Sequence, residues 1–174
     1  MAVMTDILCN MIPAAPEDLT EIHALARKAA ACSIVTDWDD EYPNLEIFAE
    51  DLQGGGLHKA VHHGRIIAVI HIGSWADHLT REGEETMDSW KNDFHNPCVL
   101  SRFCVDPDLQ GRGLGRRMMG AAIESARTLG YDGIRFHASK SNPLVLHLYD
   151  SMGFRRTGEA SFPYGDFICY EMKL

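Results

Sequence analysis

The sequence contains no apolar run that approaches the roughly 20 residues needed to span a bilayer. Nor do the first ten residues place a basic segment ahead of an apolar one, as a secretory signal does. We therefore expect no membrane partner and a cytoplasmic location. At 174 residues the chain matches one domain of ordinary size, so residues 1–174 are predicted to form a single domain.

Paired cysteines are absent as well. The five cysteines are odd in number and scattered, and no Cys-x-x-Cys pair suggests a zinc or redox site. None of the predicted helices carries a His-x-x-x-His pair among the nine histidines. These absences indicate a reducing compartment and predict that the protein binds no metal.

An excess of basic charge is also missing. The formal net charge is −9, whereas nucleic-acid binding depends on Lys and Arg side chains that neutralise phosphates. We therefore expect no nucleic-acid partner. An acidic surface is compatible with attraction of a cationic small molecule or peptide and, more simply, with solubility.

What is present is a succession of helix and strand patterns without an internal repeat. The clearest helix follows Gly115, because apolar residues recur there at helical spacing until Gly130 ends it. Residues 75–97 show no periodic pattern. Strands are predicted at residues 7–12, 57–62, 66–73, 99–105, 133–138 and 167–174, and further helices at residues 19–30, 44–52 and 143–152.

A glycine-rich loop at residues 110–115 lies between a strand and the clearest helix. This order produces an anion site, since unpaired backbone N–H groups at a helix N-terminus point at the ligand. A P-loop is excluded because Gly115 is followed by two arginines instead of Lys and then Ser or Thr. A Rossmann fingerprint is excluded because Arg116 or Met118 stands where its last glycine or alanine belongs.

The spacing that does fit is Gln/Arg-x-x-Gly-x-Gly/Ala, written here as Gln-Gly-Arg-Gly-Leu-Gly at residues 110–115. Together with the strand and turn Val-Leu-Ser-Arg-Phe-Cys-Val-Asp-Pro-Asp-Leu before it, this segment resembles the signature of GNAT acetyltransferases. Residues 141–143 and 148–154 are similar to the motif that packs on the cofactor from the other side. The resemblance implies an α+β fold with a central mixed, mostly antiparallel sheet of about six or seven strands, splayed at the cofactor site and flanked by about four helices.

The resemblance also implies acetyl-CoA as cosubstrate and assigns residues to it. The pyrophosphate is expected at the loop, and the pantetheine arm and acetyl group along the preceding strand. The expected pyrophosphate residues are Gln110, Gly111, Arg112, Gly113, Leu114, Gly115 and Arg116, and the expected arm contacts are Phe103, Cys104 and Val105. Asn142 either contacts the cofactor or caps a helix.

The activity that follows from this resemblance is transfer of the acetyl group to a primary amine of a small molecule or peptide within a ternary complex. Tyr149 is the expected acid that protonates the departing thiolate, although it could simply pack within its helix. The backbone N–H of Val105, or of a neighbour, is expected to polarise the thioester. A non-catalytic acyl-CoA sensor is the alternative, and a homodimer is the default assembly.

The general base is not identified by the sequence, because the signature strand contains no carboxylate. Ser101 could order a water, and His71, Asp77 or another carboxylate of residues 75–97 could lie nearby. Cys104 lacks an identifiable His partner, which favours a packing role over a covalent acetyl-enzyme. The stretch 75–97 either borders the acceptor site or is a solvated excursion; its acidic and aromatic residues are Asp77, Glu82, Glu84, Glu85, Asp88, Asp93, Trp75, Trp90 and Phe94.

Overall fold

The computed structural model describes residues 10–32, 38–82 and 89–174, with only the backbone described for residues 80–82. These residues form seven strands and five α-helices. The strands are β1 (Met11–Pro13), β2 (Leu57–His62), β3 (Arg65–Ser74), β4 (Pro97–Val105), β5 (Gly133–Ser139), β6 (Arg155–Phe162) and β7 (Gly165–Lys173). The helices are α1 (Leu19–Cys32), α2 (Leu45–Gln53), α3 (Trp75–Glu82), α4 (Leu114–Thr128) and α5 (Pro143–Ser151).

All seven strands belong to one sheet in the order β1-β2-β3-β4-β5-β7-β6. Every neighbouring pair is antiparallel except β4 and β5, which are parallel. Strands β4 and β5 pair only from Pro97 with Gly133 to Val99 with Arg135, and beyond these three pairs they separate. The predicted mixed, mostly antiparallel and splayed sheet is confirmed. We call the gap beyond Val99 and Arg135 the β4–β5 split.

Helices cover both faces of this sheet. On one face α4 buries Met118, Met119 and Ala122 completely, and α5 packs beside it. On the other face Ile22 of α1 and Phe48 of α2 form a second apolar cluster. Among the described residues, no helix combines the length and the apolar character that crossing a bilayer demands.

Two elements differ from the sequence-based prediction. Helix α3 lies in the stretch expected to be irregular; its buried anchor is Trp75, and about two turns of mostly polar sequence are too short to reveal a period. Strand β6 was not predicted at all. It is an edge strand in which only Ala160 is buried, so it lacks the alternation that marks a half-buried strand. Residues 7–9 of the predicted first strand lie outside the described residues, and β1 is confined to Met11–Pro13.

Arg135 of β5 fastens the segment before β4 to the sheet. Its Nε donates to Glu171 Oε1 at 3.0 Å, and its guanidinium also donates to the carbonyl oxygen of Asn92 at 2.5 Å. The other oxygen of Glu171 accepts the backbone N–H groups of Lys91 and Asn92, both at 3.1 Å. Three aromatic rings lie 5.3–5.5 Å from the guanidinium carbon: those of Trp75, Trp90 and Phe94. These contacts hold the sheet together on the side where β4 and β5 still pair.

We expect Arg135→Ala to lower the free energy of unfolding by about 3–5 kcal/mol, because Glu171 is only 1% exposed and would keep an uncompensated charge. The matched control is Arg127→Ala, which removes an exposed ion pair with Glu124 on α4. That change is expected to stay within about 1 kcal/mol. Urea unfolding of both variants measures the difference, and equal losses would contradict the anchoring role of Arg135.

Candidate functional site

The loop after β4 is built to leave backbone donors unpaired. Asp106 accepts the N–H of Asp108 at 3.1 Å and starts a short 3-10 turn at Pro107–Leu109. Gly113 then forms the N-cap of α4 with φ 76°, a left-handed conformation that disfavours other residues, and no side chain caps the helix there. The first N–H groups of α4 therefore remain available to an anion.

Positive side chains surround these donors. Arg112, Arg116 and Arg117 are all exposed around the start of α4, and Arg116 donates to Ser151 Oγ at 2.5 Å, which links the loop to the end of α5. The structure thus brings the predicted pyrophosphate residues 110–116 together at one helix end. The side chain of Leu114 is buried in the core, so only its backbone can face a ligand.

The strand that leads to this loop presents part of its backbone to the split. Asp106 donates its N–H to Ile67 of β3 at 2.8 Å. Because backbone groups alternate sides along a strand, the N–H groups of Val105 and Phe103 point the other way, toward the β4–β5 split. Cys104 directs its backbone to β3, where it pairs with Val69, and its side chain packs in the second apolar cluster. Burial raises the pKa of its thiol to about 12, which favours the packing role over a nucleophilic one.

Tyr149 lies on the α4–α5 face of the split. Its ring is 7% exposed and packs 4.6–5.9 Å from three other rings, those of Phe136, Phe154 and Tyr170. Burial, and then the neighbouring Tyr170, raises the pKa of the Tyr149 phenol, so it stays protonated. The Tyr170 hydroxyl donates to Asp150 at 2.9 Å. Within the described ranges the Tyr149 hydroxyl has no such hydrogen-bond partner, and it is not one of the polar atoms that are both buried and unpaired.

Asn142 occupies the start of α5. Its side-chain oxygen accepts the N–H of Val145 at 3.2 Å, which is the N-cap arrangement. Of the two interpretations left open by the sequence, the helix cap is therefore present. A cofactor contact through the same side chain stays a prediction.

A pocket of about 460 Å³ opens on the opposite face of the sheet, beside the split. Its walls come from α2, the turn at residues 54–56, β3, α3 and β4, together with Leu129 and Tyr131 after the end of α4. The polar side chains at its lining include Glu50, Asp51, His71, Asp77, His78, Ser101 and Arg102. The sequence suggested His71 and Asp77 as nearby candidate bases and Ser101 as a residue that could order a water, and the structure brings these three to one pocket. The sequence did not indicate that α2 contributes to this pocket.

Four of the pocket's side chains form a buried network. Arg102 donates through Nε and a terminal nitrogen to the two oxygens of Asp51, the second contact measuring 2.7 Å. The terminal nitrogen also lies 3.1 Å from His71 Nδ1, and Ser101 Oγ lies 2.9 Å from the same atom. Arg102 reaches the network because β4 carries a bulge here, with φ 48° at Arg102 and a register shift opposite Val69 and His71. A bulge has no sequence pattern, which explains why this network was missed.

The far side of the split carries a second imidazole, that of His137. It lies two residues beyond the last paired position of β5 and packs 5.3 Å from the ring of Trp90 and 5.5 Å from that of Phe162. Burial, and then the neighbouring His78, lowers the pKa of His137 to about 4. Its Nε2 is buried without a hydrogen-bond partner in the part of the chain that the structure describes.

Only part of the stretch 75–97 contributes to the pocket. Asp77 and His78 of α3 line the pocket, while Asp93 belongs to the exposed segment that Arg135 fastens. Glu84, Glu85 and Asp88 lie outside the described residues, as does the side chain of Glu82.

Comparison with known proteins agrees with this arrangement. The model of the acetyltransferase (GNAT) family matches residues 18–154. The fold is similar to a GNAT-family acetyltransferase from Streptococcus agalactiae, with a TM-score of 0.78, 19% identity and 95% of each chain covered. The chain belongs to the GNAT acetyltransferase family.

Curated relatives match over shorter segments. A mycothiol acetyltransferase from Propionibacterium freudenreichii is 40% identical over 50 residues, which cover 29% of this chain and 16% of the relative. The L-amino acid N-acyltransferase MnaT from Escherichia coli is 38% identical over 78 residues, covering 44% of this chain and 45% of the relative. The matched segments span less than half the length of these relatives.

The buried imidazole of His137 predicts a specific pH dependence of stability. An unfolded histidine has a pKa near about 6.5, whereas in the folded chain that of His137 is about 4. Between these values the unfolded chain binds a proton that the folded chain does not, so stability falls as the pH falls, by up to about 1.4 kcal/mol per pH unit. We expect His137→Phe to lose less stability than the wild type between pH 7 and pH 4.5 in urea unfolding.

The control for this comparison is His95→Gln, because His95 is exposed. That variant should follow the wild-type pH dependence. Parallel curves for the wild type and His137→Phe would show that His137 is not held neutral by burial.

Proposed function

We propose that this protein is an N-acetyltransferase that moves the acetyl group of acetyl-CoA to a primary amine of a small molecule or peptide, within a ternary complex. One observation carries the proposal: the uncapped start of α4 follows β4 directly, and the polar pocket is lined by residues of the same strand, Val99, Ser101 and Arg102, where β4 separates from β5. We further propose that residues 1–174 act as one domain, and that the protein works in the cytoplasm.

Acetyl-CoA, the acetyl donor, would be held by the loop at residues 110–116 and by the strand before it. The pyrophosphate would accept hydrogen bonds from N–H groups within residues 110–116, with Arg112 and Arg116 supplying positive charge. The pantetheine arm would lie along β4 and pair with the unpaired backbone groups of Phe103 and Val105, as an added strand would. Cys104 is the weakest of the proposed contacts, because its backbone is turned toward β3.

The groups proposed to catalyse the acetyl transfer come from the two faces of the split. The N–H of Val105 would polarise the thioester carbonyl as a single oxyanion donor. Tyr149, on the α4–α5 face, would donate its proton to the departing sulfur and regain one from the attacking nitrogen. The amine would enter from the pocket face, where Glu50 and Asp77 are exposed and would favour a cation.

The names of the relatives support nitrogen as the acceptor atom, since one of them is an L-amino acid N-acyltransferase. A sensor that binds acyl-CoA without turnover is the competing function. The available hydroxyl of Tyr149 favours catalysis over it, because a pure binding module has no use for a proton donor at the split.

The direct test combines calorimetry with release of free thiol from acetyl-CoA in the presence of amines. The panel consists of a polyamine, an aminoglycoside, L-amino acids and a peptide with a free N-terminus. We expect saturable binding of acetyl-CoA and thiol release that depends on at least one amine. Binding without amine-dependent release would favour the sensor, and the absence of binding would reject both functions.

A pair of variants at the two ends of α4 checks that binding occurs at the loop. Gly113→Val should abolish measurable affinity, because the side chain would obstruct the phosphates at a position with φ 76°. Gly130→Val places the same strain at φ 84° beyond the other end of the helix, away from the loop at residues 110–116, and should bind acetyl-CoA normally. Equal affinities in two folded variants would remove the pyrophosphate assignment.

Tyr149→Phe tests the proposed acid. We expect kcat to fall by on the order of tenfold to a thousandfold with little change in the dissociation constant of acetyl-CoA, since only the proton donor is lost. Tyr170→Phe, which removes a hydroxyl bonded to Asp150 in the same aromatic cluster, is the matched control for packing and should retain most of the activity. A fully active Tyr149→Phe enzyme would return Tyr149 to a purely structural role.

A further inference from the structure

We propose that His71, acting through the hydroxyl of Ser101, removes the proton from the acceptor's ammonium group, an inference that rests on the function proposed above. The need for such a group is quantitative. An alkylammonium with a pKa near about 10.4 is neutral in roughly one molecule in a thousand at pH 7. Attack on the thioester requires the neutral form, so a base beside the split would raise the rate.

The fold provides a slot for the imidazole of His71. A Cβ atom at Gly56 would lie 2.7 Å from His71 Nε2, and one at Gly73 would lie 2.5 Å from His71 Cε1. Both distances are shorter than real Cβ contacts, so the ring fits only because both positions are glycine. The slot is held by the N–H of Ile72, which donates to the carbonyl oxygen of Gly56 at 2.9 Å. His71 is only 7% exposed.

The neighbours of the ring fix its protonation state. A guanidinium has only donors, so the contact of 3.1 Å from Arg102 makes His71 Nδ1 an acceptor. The proton of the neutral ring must then be on Nε2, which faces Asp51 at 3.6 Å. Ser101 Oγ, at 2.9 Å from Nδ1, is left to donate its own proton to that lone pair. Its oxygen lone pairs are thereby free to accept from a group in the pocket.

The position of Ser101 joins this network to the split. Ser101 lies two residues beyond Val99, the last residue of β4 that pairs with β5, which is a distance of about 7 Å along the strand. It pairs with His71 across β3 and β4, and both residues line the pocket. An amine that reaches the split from the pocket would therefore come close to the Ser101 hydroxyl.

The proton transfer balances without another reagent. An N–H bond of the ammonium breaks as an O–H bond forms at Ser101, while the original O–H bond of Ser101 breaks as an N–H bond forms at His71 Nδ1. The imidazolium then faces the carboxylate of Asp51 through Nε2. Arg102 gives up its contact with Nδ1 and keeps its two bonds to Asp51. After acetyl transfer the proton on His71 passes to solvent through the pocket.

The other ionisable groups of the pocket fit this role less well. Both oxygens of Asp51 are engaged by Arg102. Asp77 and Glu50 are exposed at the pocket and shift the local potential toward cations, while His78 stands on α3 beside Asp77. Among the described side chains around the pocket, His71 is the one bonded to a hydroxyl at the split.

The test is the pH dependence of kcat/KM for the panel amine with the highest turnover, measured by thiol release from acetyl-CoA. With a working base, log kcat/KM of the wild type rises and then levels off once the imidazole is neutral. In His71→Asn the side-chain oxygen replaces Nδ1 as an acceptor but cannot take the proton. Only amine that is already neutral in solution can then react, so we expect log kcat/KM to climb with a slope of one through pH 9.5.

The expected deficit of His71→Asn is at least about a hundredfold at pH 7, falling to within about threefold at pH 9.5. An acceptor of lower pKa should show a smaller deficit at pH 7. Ser101→Ala is a smaller change and should give the same pH profile as His71→Asn. It tests the same proton transfer if His71→Asn fails to fold. The matched control is His95→Asn at an exposed site, which should keep the plateau.

Melting temperature and acetyl-CoA affinity are measured for every variant. A deficit in folded His71→Asn that is constant from pH 6 to pH 9.5, or the wild-type plateau in either folded site variant, would overturn the inference while leaving the proposed function intact. If the wild type releases no thiol with any panel amine, the proposed function itself fails and this inference fails with it.

Discussion

Strands β4 and β5 share three residue pairs and then separate, and the candidate site lies along the gap that this leaves. A gap in a sheet leaves backbone groups without partners, which costs free energy unless something else supplies them. Here the sheet is held on both sides of the gap by antiparallel pairing, β3 with β4 and β5 with β7. The buried ion pair of Arg135 and Glu171 secures the paired end. The split is therefore a stable feature of the fold, and it is where we propose that the pantetheine arm binds.

The two faces of the split have different chemistry because different helices cover them. Helices α4 and α5 bring an apolar cluster in which Tyr149 is kept neutral by burial. Helices α2 and α3 bring charged residues and leave a pocket. A single bulge at Arg102 turns the guanidinium toward Asp51, and the same distortion places Ser101 and His71 side by side. The proposed acid and the proposed base thus lie on opposite faces of one sheet.

Local sequence signals were sufficient for much of this arrangement. The loop at residues 110–115, the helix after it and the hairpin of β2 and β3 carry strong patterns, because glycine positions and periodicity are local properties. The family resemblance supplied the split, which the pairing of β4 with β5 confirms. Helix α3 and strand β6 were missed, since a short polar helix and an exposed edge strand bury too few residues to show a period.

The pocket network could not be predicted for a different reason. Its members come from positions 51, 71, 101 and 102, and their meeting depends on a register shift between β3 and β4. No residue type at these positions predicts a bulge, and a φ of 48° is uncommon for an arginine. The room for His71 depends on Gly56 and Gly73, whose roles appear only when the strands are placed. Such contacts are properties of the assembled sheet.

A crystal structure with CoA bound tests most directly whether donor and acceptor meet in the β4–β5 split. We expect pyrophosphate oxygens within about 3 Å of backbone N–H groups at residues 110–116. We expect the sulfur inside the split, between the hydroxyls of Ser101 and Tyr149. A pyrophosphate bound away from the start of α4, or a sulfur that lies outside the split, would contradict a meeting of donor and acceptor there.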